Sequence, residues 1–74
     1  MTAARYPKTV FWSDEDGAYV AVAPDLPGCS ALGESGPAAI AELDDAIQAW
    51  LEAAAKAGNP IPEPTKPHRL VAAQ

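Results

Sequence analysis

Residues 35–60 read SGPAAIAELDDAIQAWLEAAAKAGNP. Ile40, Leu43, Ile47, Trp50, Leu51 and Ala54 recur at the spacing of one stripe on a 3.6-residue helix, with Glu42, Asp45, Glu52 and Lys56 off it. Glu52 and Lys56 add an i,i+4 pair with the acid N-terminal. Ser35 is placed to cap the start, and Pro37 falls in the first turn, where its missing N–H costs nothing. Gly58 and Pro60 end the element with a left-handed cap and a breaker. The pattern predicts a helix of about 21 residues, roughly 30 Å long. That length crosses a small sheet completely. Trp50, on the stripe, is expected in the core.

Upstream lie three strand-like runs. Arg5 to Ser13 contains Tyr6, Thr9, Val10, Phe11 and Trp12, a β-rich composition. Asp14-Glu15-Asp16-Gly17 then reads as a hairpin turn, because glycine accepts the positive φ that other residues resist. Ala18 to Ala23 alternates Val20 and Val22 against Tyr19 and Ala21, the period of a second strand. Pro24-Asp25-Leu26-Pro27-Gly28 breaks it, with Pro27-Gly28 suited to a type II turn. Cys29 to Gly33 is a short third strand, paired with the second. Downstream, Pro60, Pro62, Pro64 and Pro67 give an extended segment. Residues 68–72 have the composition of a further strand or of a fraying end. The fold class is therefore α+β: a three-stranded antiparallel sheet packed on one long helix, in the order β-β-β-α with room for a final β. One sheet face packs on Ile40, Leu43, Ile47 and Leu51. The other has no helix to cover it and is an interface candidate, with Tyr19 or Trp12 expected there.

Composition narrows the function. In 74 residues there is room for one domain, and a core of this size supplies only about 3–5 kcal/mol without help. The single cysteine, Cys29, allows no intrachain disulfide, so an oligomer or a partner is the simplest source of that help. The N-terminus has no apolar leader and no apolar run approaches a membrane span, which predicts a soluble, cytoplasmic protein. Ten acids against five bases give a net charge of −5. Phosphate backbones repel such a chain, and its bases are scattered, so direct nucleic-acid binding is not expected. A basic protein partner is favoured by complementarity.

No residue has a setting for catalysis. Asp14, Glu15 and Asp16 are consecutive in a turn, so their side chains diverge instead of converging on a cation. Asp44 and Asp45 point about 100° apart on the helix. Cys29 has only His68 to activate it, with no third group to orient that histidine. No metal or cofactor site is expected. A metal-dependent nuclease is the weakest functional alternative. Trp12 and Tyr19 remain as an aromatic pair that either stabilises the hairpin or marks a binding hot spot. With Asp14 and Asp16 beside them, these four residues are the candidate partner-binding set.

The motifs also carry a resemblance. Tyr6-Pro7, Asp14-Glu15-Asp16-Gly17, Tyr19-Val20-Ala21 and Pro24-Asp25-Leu26-Pro27-Gly28-Cys29 follow in the order and spacing of the HicB family. Gly33, Ser35, Trp50-Leu51 and Gly58-Asn59-Pro60-Ile61-Pro62-Glu63-Pro64 continue it. The resemblance implies a partial ribonuclease-H-like fold that has lost its catalytic carboxylates. It also implies a non-catalytic antitoxin that binds and occludes a HicA-like toxin, a small basic protein that cleaves mRNA. On this reading residues 1–64 form the HicB-like domain and residues 65–74 a tail. Many members carry a further DNA-binding domain. The few residues after the proline exit leave no room for one, so direct operator binding is not expected. A stand-alone, homo-oligomeric HicB-like binding module without a toxin is the alternative.

Overall fold

The computed structural model describes residues 5–65. It contains β1 (Thr9–Ser13), β2 (Ala18–Val22), β3 (Ser30–Gly33) and α1 (Gly36–Ala57). The strands form one antiparallel sheet in the order β1-β2-β3. The expected α+β architecture is the observed one. The expected strand at 68–72 lies outside the described residues.

Local chemistry sets each boundary. Ser35 is extended (φ −142°), and its Oγ accepts from the Ala38 N–H at 3.1 Å. At the other end Gly58 takes φ 77°. Its N–H reaches the Ala55 carbonyl at 3.1 Å and that of Asn59 the Ala54 carbonyl at 2.9 Å. This is a Schellman closure, which satisfies carbonyls that a helix end otherwise strands. Between β2 and β3 two tight turns follow each other, with Leu26 N–H donating to Ala23 and Cys29 N–H to Leu26, each at 3.0 Å. Gly28 has φ 78° after Pro27, as a type II turn requires. The double turn drops Leu26 into the core, where it is 1% exposed.

The first strand is shorter than the composition of residues 5–13 implies. It begins at Thr9, because the chain before Pro7 bends away and lays the Tyr6 ring in the core. The Tyr6 hydroxyl donates to the Pro62 carbonyl at 2.6 Å. Asp25 fastens the same exit segment, its carboxylate accepting from both the N–H and the hydroxyl of Thr65 at 2.8 Å. The proline-rich exit is thus strapped back over the start of the domain as far as Thr65.

The helix buries Ala39, Leu43, Ile47, Leu51 and Ala54. The centre of the stripe is therefore turned slightly from the expected one. Ile40 and Trp50 flank it, half-buried. Trp50 packs against the core from its margin, because its indole N–H needs an acceptor and donates to the Pro27 carbonyl at 3.1 Å. Lys8 Nζ lies 3.2 Å from Asp44 Oδ1, an ion pair from the segment before β1 to the helix, though this oxygen has no partner at hydrogen-bonding geometry. Glu52 and Lys56 are both exposed, where an ion pair contributes little.

Register decides which residues meet the helix. Trp12 pairs with Tyr19, and Tyr19 with Gly33; Val10 pairs with Ala21, and Ala21 with Ala31. These share the face that carries buried Ala21, so they lie on the helix side. Ala21, Ala31 and Gly33 there are small, while Val10, Trp12 and Tyr19 are not, and at Gly33 the layers nearly touch. A Cβ added at Gly33 would stand 2.3 Å from the Ala39 nitrogen. The opposite face holds Phe11, Val20, Val22 and Leu32, with Phe11 beside Val20 and Val20 beside Leu32. Placing Trp12 or Tyr19 on that face is thus corrected by strand parity. Phe11 and Leu32 are 48% and 50% exposed, and no element of the described residues covers them.

Candidate functional site: the hairpin end

The turn between β1 and β2 is built by Ser13. Its carbonyl accepts from Gly17 N–H at 2.9 Å, and its hydroxyl accepts from Asp16 N–H at 3.3 Å. The same hydroxyl donates to Asp16 Oδ2 at 2.9 Å. Gly17 has φ 62°, the conformation expected of the glycine that closes this loop. Asp16 is therefore committed to shaping the turn.

Trp12 stands beside it. Its indole N–H donates to Asp14 Oδ1 at 2.7 Å. The ring meets Tyr19 edge-on, with centroids 5.2 Å apart and planes at 72°. Such a pair contributes about 0.5–1.5 kcal/mol beyond its buried area. Trp12 is nonetheless 51% exposed, although it lies on the helix side. The reason is that α1 runs mainly over β3 and β2 and least over β1. Tyr19, on the central strand, packs against the core instead. Trp12 is thus an exposed aromatic whose orientation is fixed before any partner arrives, Asp14 holding its polar edge and Tyr19 its side. The structure brings all four candidate residues to this one end. Asp14 and Trp12 stay exposed, Tyr19 serves the core, and Asp16 serves the turn.

Asp14, Glu15 and Asp16 are all exposed in the turn that follows Trp12, with Asp14 in contact with its indole. An exposed indole face beside carboxylates suits a Lys or Arg side chain, through cation–π attraction and charge together. Among the described residues no three His, Cys, Asp or Glu side chains are grouped to hold a metal ion. Cys29 is buried, and burial pushes its thiol above the ordinary value, which lowers the thiolate fraction a nucleophile needs. His68 lies outside the described residues. No described helix is long and apolar enough to cross a membrane.

The sequence reading expected an uncovered sheet face but put Trp12 or Tyr19 on it in place of Phe11, Val20, Val22 and Leu32. Strict alternation from buried Ala21 is the feature that could have located it.

Similarity to known proteins fits this picture. The chain is 38% identical over 53 residues to the UPF0150 protein Ta0767 of Thermoplasma acidophilum, an alignment spanning 72% of this chain and 77% of that protein. Residues 6–74 match the family described as the HicB_like antitoxin of bacterial toxin-antitoxin systems. Nearly the whole chain is covered by that match, and it carries the strand, turn and helix motifs in one domain, so the chain belongs to the HicB-like antitoxin family.

Proposed function

We propose that this protein is a non-catalytic, cytoplasmic antitoxin that binds and occludes a small basic HicA-like toxin, using the hairpin end as its recognition surface. The observation that carries this reading is the pre-oriented, half-exposed Trp12 beside three exposed carboxylates, in a chain whose family is that of antitoxins. An indole fixed in advance loses little rotamer entropy on binding, and Trp is enriched among residues that dominate binding energy. The acids supply attraction to a basic partner and speed encounter. The buried thiol and the turn-bound Asp16 offer no reactive group to either chain.

The test is co-expression with the product of the neighbouring reading frame, which on this reading is a small basic protein. Wild-type antitoxin should restore growth and co-purify with it. Trp12→Ala should weaken the complex by about 30-fold, the effect of losing a hot-spot side chain. Its melting temperature should shift far less than that of Tyr19→Ala, because Trp12 lies outside the core and Tyr19 packs on it. An undiminished complex with Trp12→Ala would remove the hairpin end from the interface. Absence of any basic partner that binds would remove the antitoxin reading.

A further inference from the structure

We infer that residues 66–74 are a latch, which folds back on its own chain and seats Leu70 and Val71 in a groove on the flank of α1. Trp50, Ala53, Ala54, Ala57 and Asn59 line that groove. Ala54 is buried and Trp50 half-buried, while Ala53, Ala57 and Asn59 are exposed. Alanine side chains are short, so beside an indole they leave a concave apolar strip. The groove lies away from the hairpin residues, and the latch does not depend on what the hairpin end binds.

The strap delivers the chain to this place. Asp25 holds both the N–H and the hydroxyl of Thr65 at 2.8 Å. Pro27 is two residues further along the same connection, at most about 7 Å away. Its carbonyl accepts from the Trp50 indole at 3.1 Å. The strap therefore ends close to the aromatic wall of the groove. From Thr65 an extended chain reaches Leu70 within about 17 Å. That is enough to pass the indole and lie along Ala53, Ala54 and Ala57.

The composition of the segment fits the task. Residues 66–74 read KPHRLVAAQ, with two of the five bases, the one histidine and no acid. All ten acids come earlier, so residues 1–65 set ten acids against three bases, a net charge of −7. A basic segment tethered to so acidic a body is drawn to it. Leu70-Val71 is the segment's one pair of large apolar residues, and burial in the alanine strip removes it from water. The tether also decides the occupant. A segment joined by a few residues to a fixed point meets its site at an effective concentration on the order of millimolar, an advantage that a separate chain lacks.

The experiment is limited trypsin digestion of the full chain. Lys66 precedes a proline, which blocks cleavage, so Arg69–Leu70 is the segment's one susceptible bond. It should be cut at least about 10-fold more slowly than in a free peptide of residues 66–74, since cleavage follows the open population. Ala53→Gln with Ala57→Gln fills the strip at two exposed positions where glutamine suits a helix. That pair should raise the rate to the peptide's while the helix signal in circular dichroism stays that of wild type. Leu70→Asp, set against a peptide with the same change, should also lose its protection. A wild-type bond cut as fast as in the peptide would overturn the proposal. So would protection that survives the glutamine pair, which would seat the segment elsewhere, such as the outer edge of β1. Protection that grows with protein concentration would put it on a second copy and overturn the latch equally.

Discussion

Replacing Gly33 with alanine should be among the most damaging single-methyl changes in this protein, and its size can be worked from the packing. The added Cβ would lie 2.3 Å from the Ala39 nitrogen and 2.7 Å from both the Ala38 carbonyl carbon and the Ala39 Cα. Carbon contacts settle near 3.5–4.0 Å, so the shortfall is roughly 1 Å. The atoms met are helix backbone, which cannot rotate aside as a side chain can. The start of α1 must lift as a unit, opening a gap over Ala21 and Leu43, both fully buried. Overpacking costs about 1–3 kcal/mol, and a gap of this width forfeits up to half of each lost contact. A total near 3 kcal/mol is expected. A domain this small has only about 3–5 kcal/mol in reserve. At roughly 4–8 °C per kcal/mol the melting temperature should fall by about 12–24 °C. Thermal melts followed by far-ultraviolet circular dichroism give the value. Gly28→Ala is the control. Its Cβ meets nothing within 4 Å, so only the positive φ of 78° is penalised, at about 1–2 kcal/mol. Conformational entropy alone argues the reverse order, since Gly→Ala at an unstrained strand position stabilises by about 0.4–1 kcal/mol. A Gly33→Ala protein that melts at or above wild type would refute the packing argument.

Three further outcomes follow from the strap and from the buried Tyr6 and Cys29. Tyr6→Phe removes the 2.6 Å bond to the Pro62 carbonyl and should cost about 1 kcal/mol in urea unfolding. Burial pushes the Tyr6 hydroxyl above 10.0, with the Asp25 and Glu63 carboxylates adding to it, and burial pushes the Cys29 thiol above 9.0. Both groups are favoured neutral in the fold, so their contribution is complete below the unfolded values and is lost as pH rises through 9 to 10 and beyond. Urea midpoints should decline on that alkaline limb, and Tyr6→Phe with Cys29→Ala should flatten it; an unchanged decline would place its cause elsewhere. Asp25→Asn leaves one acceptor oxygen for the two Thr65 donors and should release the Thr65 amide to rapid hydrogen exchange while costing less than about 1 kcal/mol, because the site is solvent-screened.

Much of this molecule is legible from local rules. Ser35, Gly58, Gly17 and Pro27-Gly28 each impose one backbone geometry, and the structure uses all of them. Local rules do not record distance between layers. Tyr6 reads as strand because aromatics favour strands, yet the acceptor for its hydroxyl, Pro62, is 56 residues away. Trp50 reads as core from its place on the helix stripe, but its N–H finds an acceptor only at the edge, on Pro27. Asp25 and Thr65 meet across 40 residues, and neither residue alone announces a partner.

The two sheet faces show the same limit most sharply, and they connect packing to function. The usual expectation places large apolar residues inward. Here Ala21, Ala31 and Gly33 face the helix, and Phe11 and Leu32 face away. The helix is made of the same small residues at its contact, Ala38 and Ala39 lying over Gly33. Small side chains on both layers bring the helix backbone against the sheet, and that closeness leaves no space for a phenylalanine between them. Where the layers are closest, Phe11 and Leu32 therefore point to the other face, while Trp12 and Tyr19 keep to the helix side at the hairpin end. The helix axis, set over β3 and β2, also leaves β1 partly bare, and so exposes Trp12. One close helix–sheet contact thereby leaves two surfaces open among the described residues: an aromatic beside carboxylates at the hairpin end and the apolar row of Phe11, Val20 and Leu32 behind the sheet. Enlarging Gly33 should for this reason disturb the Trp12–Tyr19 pair as well as the melt, since Tyr19 is paired to Gly33 on one side and Trp12 on the other. A near-ultraviolet aromatic spectrum unchanged by Gly33→Ala, in protein still folded at low temperature, would break that link between the layer spacing and the site.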